Sequence, residues 1–169
     1  MNTLSTLNKL RVITPKPKHI KNNNHMKSHK KIQLFLVDDD ALFLKSLEID
    51  FFQHSDYKIE TYATGELCIA NLSHNPDIII LDYQLDGIEK TAINGIQTLD
   101  KIKSFNPEIP VVMLSSQDKI EVAINCMHHK AFDYVVKSET AFMRLQKKIN
   151  TILSFKEIEK ELNWYMERM

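Results

Sequence analysis

The sequence predicts an α/β protein in which five short strands form one parallel, doubly wound sheet with helices on both faces. Short and nearly continuous apolar runs alternate along the chain with stretches of helical hydrophobic spacing. That alternation is typical of a parallel sheet buried on both sides. The composition agrees with a folded core, because 43% of the 169 residues are hydrophobic and 26% are charged.

The elements follow one another as five strand–helix pairs, with Thr64 as the predicted N-cap of the second helix. The prolines at 76, 107 and 110 mark turns before strands. Apolar runs predict strands over residues 32–37, 78–81, 111–114 and 134–136, and an alternating pattern predicts one over residues 57–62. Helical spacing predicts helices over residues 41–52, 66–72, 95–105 and 118–128 and from 140 to the end.

Residues 1–30 are polar and rich in Asn, and we interpret them as a flexible, disordered basic tail. Residues 1–31 hold eight basic residues and no acidic one, which leaves a net charge of −8 on the rest. One interpretation is a cloning remnant or an upstream start codon, with Met26 as the true start. A nucleic-acid-binding arm is less favoured, because aromatic residues do not interleave with the charges.

The remaining composition bears on location and binding partners. Cys68 and Cys126 lie in apolar helical patterns without metal-ligand spacing or a disulfide framework, which favours a reducing cytoplasmic compartment. The sequence has no apolar run of about eighteen residues and no secretory signal pattern. We therefore expect neither membrane association nor a main role in nucleic-acid binding.

Polar side chains follow four of the predicted strands, at the sheet edge where parallel α/β proteins bind ligands. Converging carboxylates repel one another and favour a hard cation, for which Mg²⁺ fits best. A hydroxyl and an ammonium suit phosphoryl oxygens, and Asp82 then has the chemistry of an acceptor carboxylate. The strand-end residues are Asp38, Asp39 and Asp40, then Asp82, then Ser115 and Ser116, then Lys137.

The segments that carry these residues resemble response-regulator receiver domains, the phospho-acceptor modules of two-component signalling. They are LFLVDDD (34–40), PDIIILDYQL (76–85), NGIQTL (94–99), IPVVMLSS (109–116) and AFDYVVK (131–137). The resemblance implies a flavodoxin-like (βα)5 receiver domain over residues 31–154. Residues 155–169 would then form a helical extension of the fifth helix.

By this resemblance, Asp82 is the phosphorylated aspartate, and Mg²⁺ is its cofactor. Asp38 and Asp39 match the acidic pair that binds the metal, together with Asp82 and the backbone carbonyl of Gln84. Asp40 is a competing ligand, but the strand register predicts that it begins the first helix instead.

The resemblance also assigns the residues that would respond to the phosphoryl group. Ser115 and Lys137 match its stabilising hydroxyl and lysine, and Ser115 with Tyr134 matches the switch pair. Tyr134 could equally be an ordinary sheet tyrosine under the fourth helix. Gln84 and Gln117 occupy the two positions that tune phosphoryl lifetime.

Two departures from the family pattern lie near the site. The loop after Asp82 is longer than usual, with the extra residues within 86–93 (DGIEKTAI). The loop would either gate access of the kinase or phosphatase or only decorate the surface. In addition, Ser138 follows Lys137 where many receivers have proline, which affects the loop after the fifth strand.

The last helix carries an apolar repeat beyond the length that a receiver needs. Its spacing of 3-4-3-4 is that of a short heptad seam. The extension would pack on its own domain, form a homodimer, or link to an output domain that this sequence does not contain. The repeat consists of Phe155, Ile158, Leu162, Tyr165 and Met169.

The resemblance implies a stand-alone response regulator that takes a phosphoryl group from a histidine kinase or phosphotransfer protein. It would signal through the face formed by the fourth helix, fifth strand and fifth helix. Only self-phosphorylation and slow self-dephosphorylation are expected, so the chain is not predicted to be an enzyme. The alternatives are a fragment of a larger DNA-binding regulator and an Asp-nucleophile phosphohydrolase. The phosphohydrolase is disfavoured because Tyr83 and Gln84, rather than a second acid, follow Asp82.

Overall fold

The structure, a computed structural model, describes residues 30–54, 56–85 and 92–169. The predicted basic tail, apart from Lys30, and residues 86–91 of the lengthened loop lie outside the described residues. The strands are β1 (Ile32–Val37), β2 (Tyr57–Tyr62), β3 (Ile78–Asp82), β4 (Val111–Ser115) and β5 (Asp133–Val136). The helices are α1 (Ala41–Phe52), α2 (Gly65–Ala70), α3 (Gly95–Phe105), α4 (Ile120–His128) and α5 (Ala141–Met166).

The five strands form one parallel sheet in the order β2-β1-β3-β4-β5, which confirms the predicted fold class. The strand order reverses between β1 and β3, since the chain moves to one side of β1 and then to the other. Ligand sites of open α/β sheets lie outside the carboxyl ends of the strands at such a reversal. The topology therefore points to the ends of β1 and β3.

Successive residues of the central strands point to opposite faces of the sheet and build two cores. In β3, Ile79 and Leu81 pack with α2, α3 and α4, whereas Ile78 and Ile80 pack with α1 and α5. All four side chains are buried. Burial on both faces explains why this strand reads as a continuous apolar run rather than an alternating one.

Three helix boundaries differ from the predicted ones. The helix α2 is shorter because the Asn71 side-chain amide donates a hydrogen bond to the Leu67 carbonyl. A 3₁₀ turn (Leu72–His74) follows, and it ends at Asn75 in the left-handed region, with φ of 55°. The helix α4 begins two residues late, since residues 117–119 belong to the loop that leaves β4. The helix α5 stops at Met166, because the Arg168 and Met169 amides donate to the carbonyls three residues back, Tyr165 and Met166, and so tighten the last turn.

The helix α5 changes character along its length. Leu145, Ile149 and Ile152 are buried against the sheet, but every residue from 157 onward is exposed. The exposed part of the helix therefore does not pack on its own domain within the described structure. None of the described helices combines the length and apolarity needed to cross a membrane.

Candidate functional site at the carboxyl edge of the sheet

The strand register brings the predicted site residues to one edge of the sheet. Val37 pairs with Leu81, so Asp38 and Asp82 follow as neighbours at the ends of β1 and β3. Ser115 ends β4 and pairs with Val136, which places Lys137 directly beyond the same edge. Four segments that are distant in sequence thus contribute to one site.

The ammonium of Lys137 lies between two buried carboxylates. Its Nζ is 2.7 Å from Asp38 Oδ2 and 3.1 Å from Asp82 Oδ2. Asp38 is 1% exposed and Asp82 is 3% exposed. Charges buried to this degree are strongly destabilising unless they are paired. The ion pairs with Lys137 therefore offset the free-energy cost of burying the two carboxylates.

The electrostatics of the site follow from burial. Burial, with the nearby Asp38 charge, raises the pKa of Asp82 to about 6, although Lys137 and the Gln84 backbone amide oppose the shift. Burial likewise raises the pKa of Asp38 despite the same lysine. For Lys137, burial lowers the pKa, but the two carboxylates outweigh it and leave the pKa raised. One lysine faces two carboxyl groups, so the charge of the site favours binding of another cation.

Three carboxylates of this edge have a geometry that fits a metal ion. One oxygen each from Asp38, Asp39 and Asp82 lies within 4.8 Å of the other two. The buried oxygen Asp38 Oδ2 forms an ion pair with Lys137. Within the described part of the chain, it accepts no hydrogen bond of good geometry. Hard oxygen ligands of this kind suit Mg²⁺.

Asp40 does not join the acidic cluster but caps the first helix. Its carboxylate accepts hydrogen bonds from the Leu42 and Phe43 amides, at 3.0 and 3.1 Å. Its own amide donates to Asp38 Oδ1 at 2.9 Å, which helps to orient that carboxylate. The prediction that Asp40 begins the helix is confirmed.

Ser115, Gln117 and Tyr134 form a connected group beside the acids. The buried Ser115 Oγ accepts a hydrogen bond from the Gln117 amide at 3.1 Å, and the Tyr134 hydroxyl donates to the Gln117 carbonyl. Burial raises the pKa of Tyr134, and a hydrogen bond with Ser115 opposes the shift. The two predicted switch residues are therefore coupled through the backbone of Gln117.

The loop after β3 is held from two sides. Gln84 is exposed, and its side-chain oxygen accepts a hydrogen bond from Ser116 at 3.2 Å, which links the ends of β3 and β4. Gly95, the first residue of α3, lies so close that a Cβ there would be 2.1 Å from the Asp82 carbonyl oxygen. Glycine at this position lets the helix approach the carboxyl end of β3.

Sequence reasoning missed one contact of the site lysine. The Phe43 ring lies under Lys137, with Nζ 4.8 Å from the ring centroid, an arrangement that attracts the cation. Phe43 belongs to the apolar pattern of α1, and nothing in that pattern distinguishes it from a core residue. Its position one turn after the acidic residues was the available signal.

Comparison with known proteins agrees with this geometry. The profile of the response regulator receiver domain matches residues 34–150. A protein-glutamate methylesterase/protein-glutamine glutaminase of Clostridium acetobutylicum is 34% identical over 118 residues, which are 66% of this chain and 32% of that protein. The chain thus spans about a third of that relative's length. A second relative, the nitrogen assimilation regulatory protein NtrX of Azorhizobium caulinodans, is matched over 22% of its length.

Two solved structures show the same fold. A CheY-like receiver domain protein of Methanospirillum hungatei has a TM-score of 0.65 at 22% identity, over 76% of this chain and 98% of that one. A Borrelia burgdorferi CheX-CheY complex with BeF3 and Mg²⁺ has a TM-score of 0.62 at 24% identity. That match covers 72% of this chain and 89% of that one.

Proposed function

The chain belongs to the response regulator receiver domain family of two-component signalling, and we propose that Asp82 is its phosphoryl acceptor. The donor would be the phosphohistidine of a histidine kinase or phosphotransfer protein. One observation carries the proposal: the buried Asp82 carboxylate lies 3.1 Å from Lys137, beside two further acids at the strand-order reversal. A purely structural ion pair would not need the additional acids.

In the proposed reaction an Asp82 carboxylate oxygen attacks the phosphorus, and the bond from phosphorus to the donor imidazole nitrogen breaks. The electron pair of that bond stays on the imidazole, which leaves as the neutral ring after taking up a proton. Lys137 supports the transfer because its ammonium already lies at Asp82 and can bind a phosphoryl oxygen. Later attack by water on the acyl phosphate would restore Asp82.

The carboxylates of Asp38, Asp39 and Asp82 and the carbonyl of Gln84 would hold Mg²⁺. When bound, the ion would neutralise charge on the acids and on the phosphoryl oxygens. The burial of Asp38 and Asp82 supports this assignment, since two acids share one lysine. The CheX-CheY complex of Borrelia burgdorferi, which has a similar fold, contains Mg²⁺.

A phosphoryl group on Asp82 would attract the Ser115 hydroxyl and so compete with the Gln117 amide for it. The Gln117 carbonyl also accepts a hydrogen bond from the Tyr134 hydroxyl. Movement of Ser115 away from Gln117 would therefore release or turn the tyrosine. We place the output on the α4-β5-α5 face, where Ile120, Ile124 and Met127 of α4 are exposed. Gln84, two residues after Asp82, and Gln117, which is hydrogen-bonded to Ser115, would set the lifetime of the phosphoryl group by controlling access of water.

A second candidate is a receiver unit within a larger regulator. It is favoured by the fact that the chain matches only 22% of the NtrX regulator and 32% of the methylesterase described above. In that case the acceptor chemistry is unchanged and the α4-β5-α5 face would contact an output domain. Beyond acquiring and losing its own phosphoryl group, we expect no enzymatic activity, and we expect a cytoplasmic location.

Intact-mass measurement with Mg²⁺ and acetyl phosphate tests the proposal. The wild type should gain the mass of one phosphoryl group, and Asp82→Asn should gain none. Removal of Mg²⁺ by a chelator should prevent the gain in the wild type.

Asp40→Asn is the matched control, because Asn also caps helices and Asp40 faces the α1 amides rather than the acidic cluster. This variant should be phosphorylated like the wild type. Equal phosphorylation of Asp82→Asn and wild type would refute the assignment, and steady hydrolysis of a phosphate ester would favour a phosphohydrolase.

A further inference from the structure

The exposed end of α5 and the residues that follow it carry an apolar strip that, beyond Phe155, the chain's own domain does not cover. We define this C-terminal seam as Phe155, Ile158, Leu162, Tyr165 and Met169. These side chains are between 56% and 100% exposed, although all five are large and apolar. Exposed apolar side chains that lie in one strip mark an interaction surface rather than chance exposure.

The seam does not continue the buried face of α5. At 100° per residue, its direction lies roughly 125° around the helix from the stripe formed by Leu145, Ile149 and Ile152. Continued toward the domain, the same strip becomes polar and carries Arg144, Lys147 and Thr151, all exposed. The apolar strip thus begins where the helix leaves the domain, at Phe155, whose ring still contacts Phe132 edge-on. Beyond Phe155 the strip points away from the sheet.

From this geometry we propose that the C-terminal seam binds the same seam of a second copy of this chain as an antiparallel helix pair. The spacing of 3-4-3-4 is the pattern by which one helix recognises another. The exposed segment 155–169 is close to neutral, with three basic and four acidic residues. Two copies therefore do not repel each other strongly there.

The charges beside the seam favour the antiparallel orientation. When Leu162 lies opposite Tyr165 of the second copy, Glu161 comes beside Arg168 of that copy, and twofold symmetry forms the pair twice. Within one chain these two residues are two turns apart and do not meet. A parallel pair would instead place Arg144 and Lys147 of the two copies near each other.

Trp164 supplies a reporter, since it is the only tryptophan of the chain. In the single chain, Arg168 stacks on its ring at 3.6 Å. Pairing of Arg168 with Glu161 of the second copy would change that stack. Association should therefore alter the tryptophan emission.

Sedimentation velocity and tryptophan emission of the unphosphorylated full chain, from about 1 µM to about 1 mM, test the proposal. The average mass should rise from one chain toward two, with a parallel change in emission. Leu162→Lys should weaken association about tenfold or more. Asn163→Lys adds the same charge one residue along, outside the seam, and should associate like the wild type. Circular dichroism checks that the helix is retained in both variants.

Charge reversal tests the orientation. Glu161→Arg and Arg168→Glu should each weaken association by roughly threefold, and the double variant should restore it. A chain that stays monomeric at every concentration, or a dimer that survives Leu162→Lys, would overturn the proposal. Failure of the double reversal to restore association would overturn the antiparallel register. The proposal does not depend on phosphoryl transfer, so the two can fail separately.

Discussion

The carboxyl edge of the sheet and the C-terminal seam depart from ordinary burial in opposite directions. At the edge, Asp38 and Asp82 are 1% and 3% exposed although they are acids. Along the seam, Ile158 and Leu162 are 61% and 56% exposed although they are aliphatic. Buried charge favours a small, charged ligand, whereas an exposed apolar strip favours a protein partner. The two surfaces that we propose thus call for two different kinds of partner.

The largest predicted effect comes from removing the lysine that holds the buried acids. Lys137→Met should lower the free energy of unfolding at pH 7, without metal, by about 3 to 4 kcal/mol, since it leaves two acids without their counter-charge. It should also abolish rapid phosphorylation. Denaturant unfolding and intact mass measure the two effects.

The control for this variant is Lys148→Met, which removes a more exposed ion pair with Asp133. It should cost no more than about 0.5 kcal/mol. Equal losses for the two variants would mean that the burial of Asp38 and Asp82 does not distinguish the site.

The second effect is a pH dependence of stability caused by Asp82. Its pKa rises from 3.8 to about 6 in the folded protein, so the folded state holds the proton more tightly than the unfolded state does. Asp82 therefore makes the metal-free protein less stable as pH rises from about 4 to about 6. Asp82→Asn should stabilise it at pH 7 by about 2 to 3 kcal/mol, and not at pH 4.

Chemical unfolding in chelator at several pH values measures this dependence. Excess Mg²⁺ should stabilise the wild type at pH 7 more than Asp82→Asn, because the ion offsets the repulsion between the acids. Parallel pH profiles for the two proteins would contradict the raised pKa.

The third effect concerns the close approach of α3 to the end of β3 at Asp82. Gly95→Ala should cost about 2 kcal/mol and slow phosphorylation, because its Cβ would meet the backbone oxygen of Asp82. Gly65→Ala is the comparison, since its Cβ would meet the Thr98 side chain at 2.0 Å.

Thermal unfolding of a double-mutant cycle separates the two cases. Gly65→Ala should cost much less in a Thr98→Ala background than alone, because the obstacle there is a removable side chain. Thr98→Ala should not rescue Gly95→Ala. Rescue of both glycine variants would show that backbone approach at Asp82 is not the constraint.

The smallest effect is expected at the seam. Leu162→Ala should change the free energy of unfolding at low protein concentration by less than about 0.5 kcal/mol, since the side chain is exposed in the single chain. Thermal melts at low concentration check this value. A larger loss would mean that the seam packs on its own domain.

Much of the fold was predictable because both faces of the sheet are buried. That burial makes β1, β3 and β4 read as continuous apolar runs, and their ends place Asp38, Asp82 and Ser115 in order along the sequence. The predicted strands agree with the structure to within one residue at each end. The parallel topology then brings these side chains together without any further information.

Other features depend on distances that a sequence pattern does not contain. The bond from Gln117 to Ser115 and the contact of Phe43 with Lys137 arise from loop geometry and from the crossing of α1 over the sheet. The sequence left the packing of the C-terminal helix open, because apolar spacing shows a strip but not its direction. In the structure, Ile152 is buried and Ile158 is exposed on a different side of the helix, which shows that the strip faces away from the domain.

Chemical trapping of the phosphorylated protein tests the central assignment most directly. Borohydride reduces an acyl phosphate to an alcohol, so the account predicts one homoserine at position 82 after treatment with acetyl phosphate and Mg²⁺, located by peptide mass spectrometry. Reduction at Asp38 or Asp39, or a phosphoryl group that resists borohydride on a serine or histidine, would contradict it.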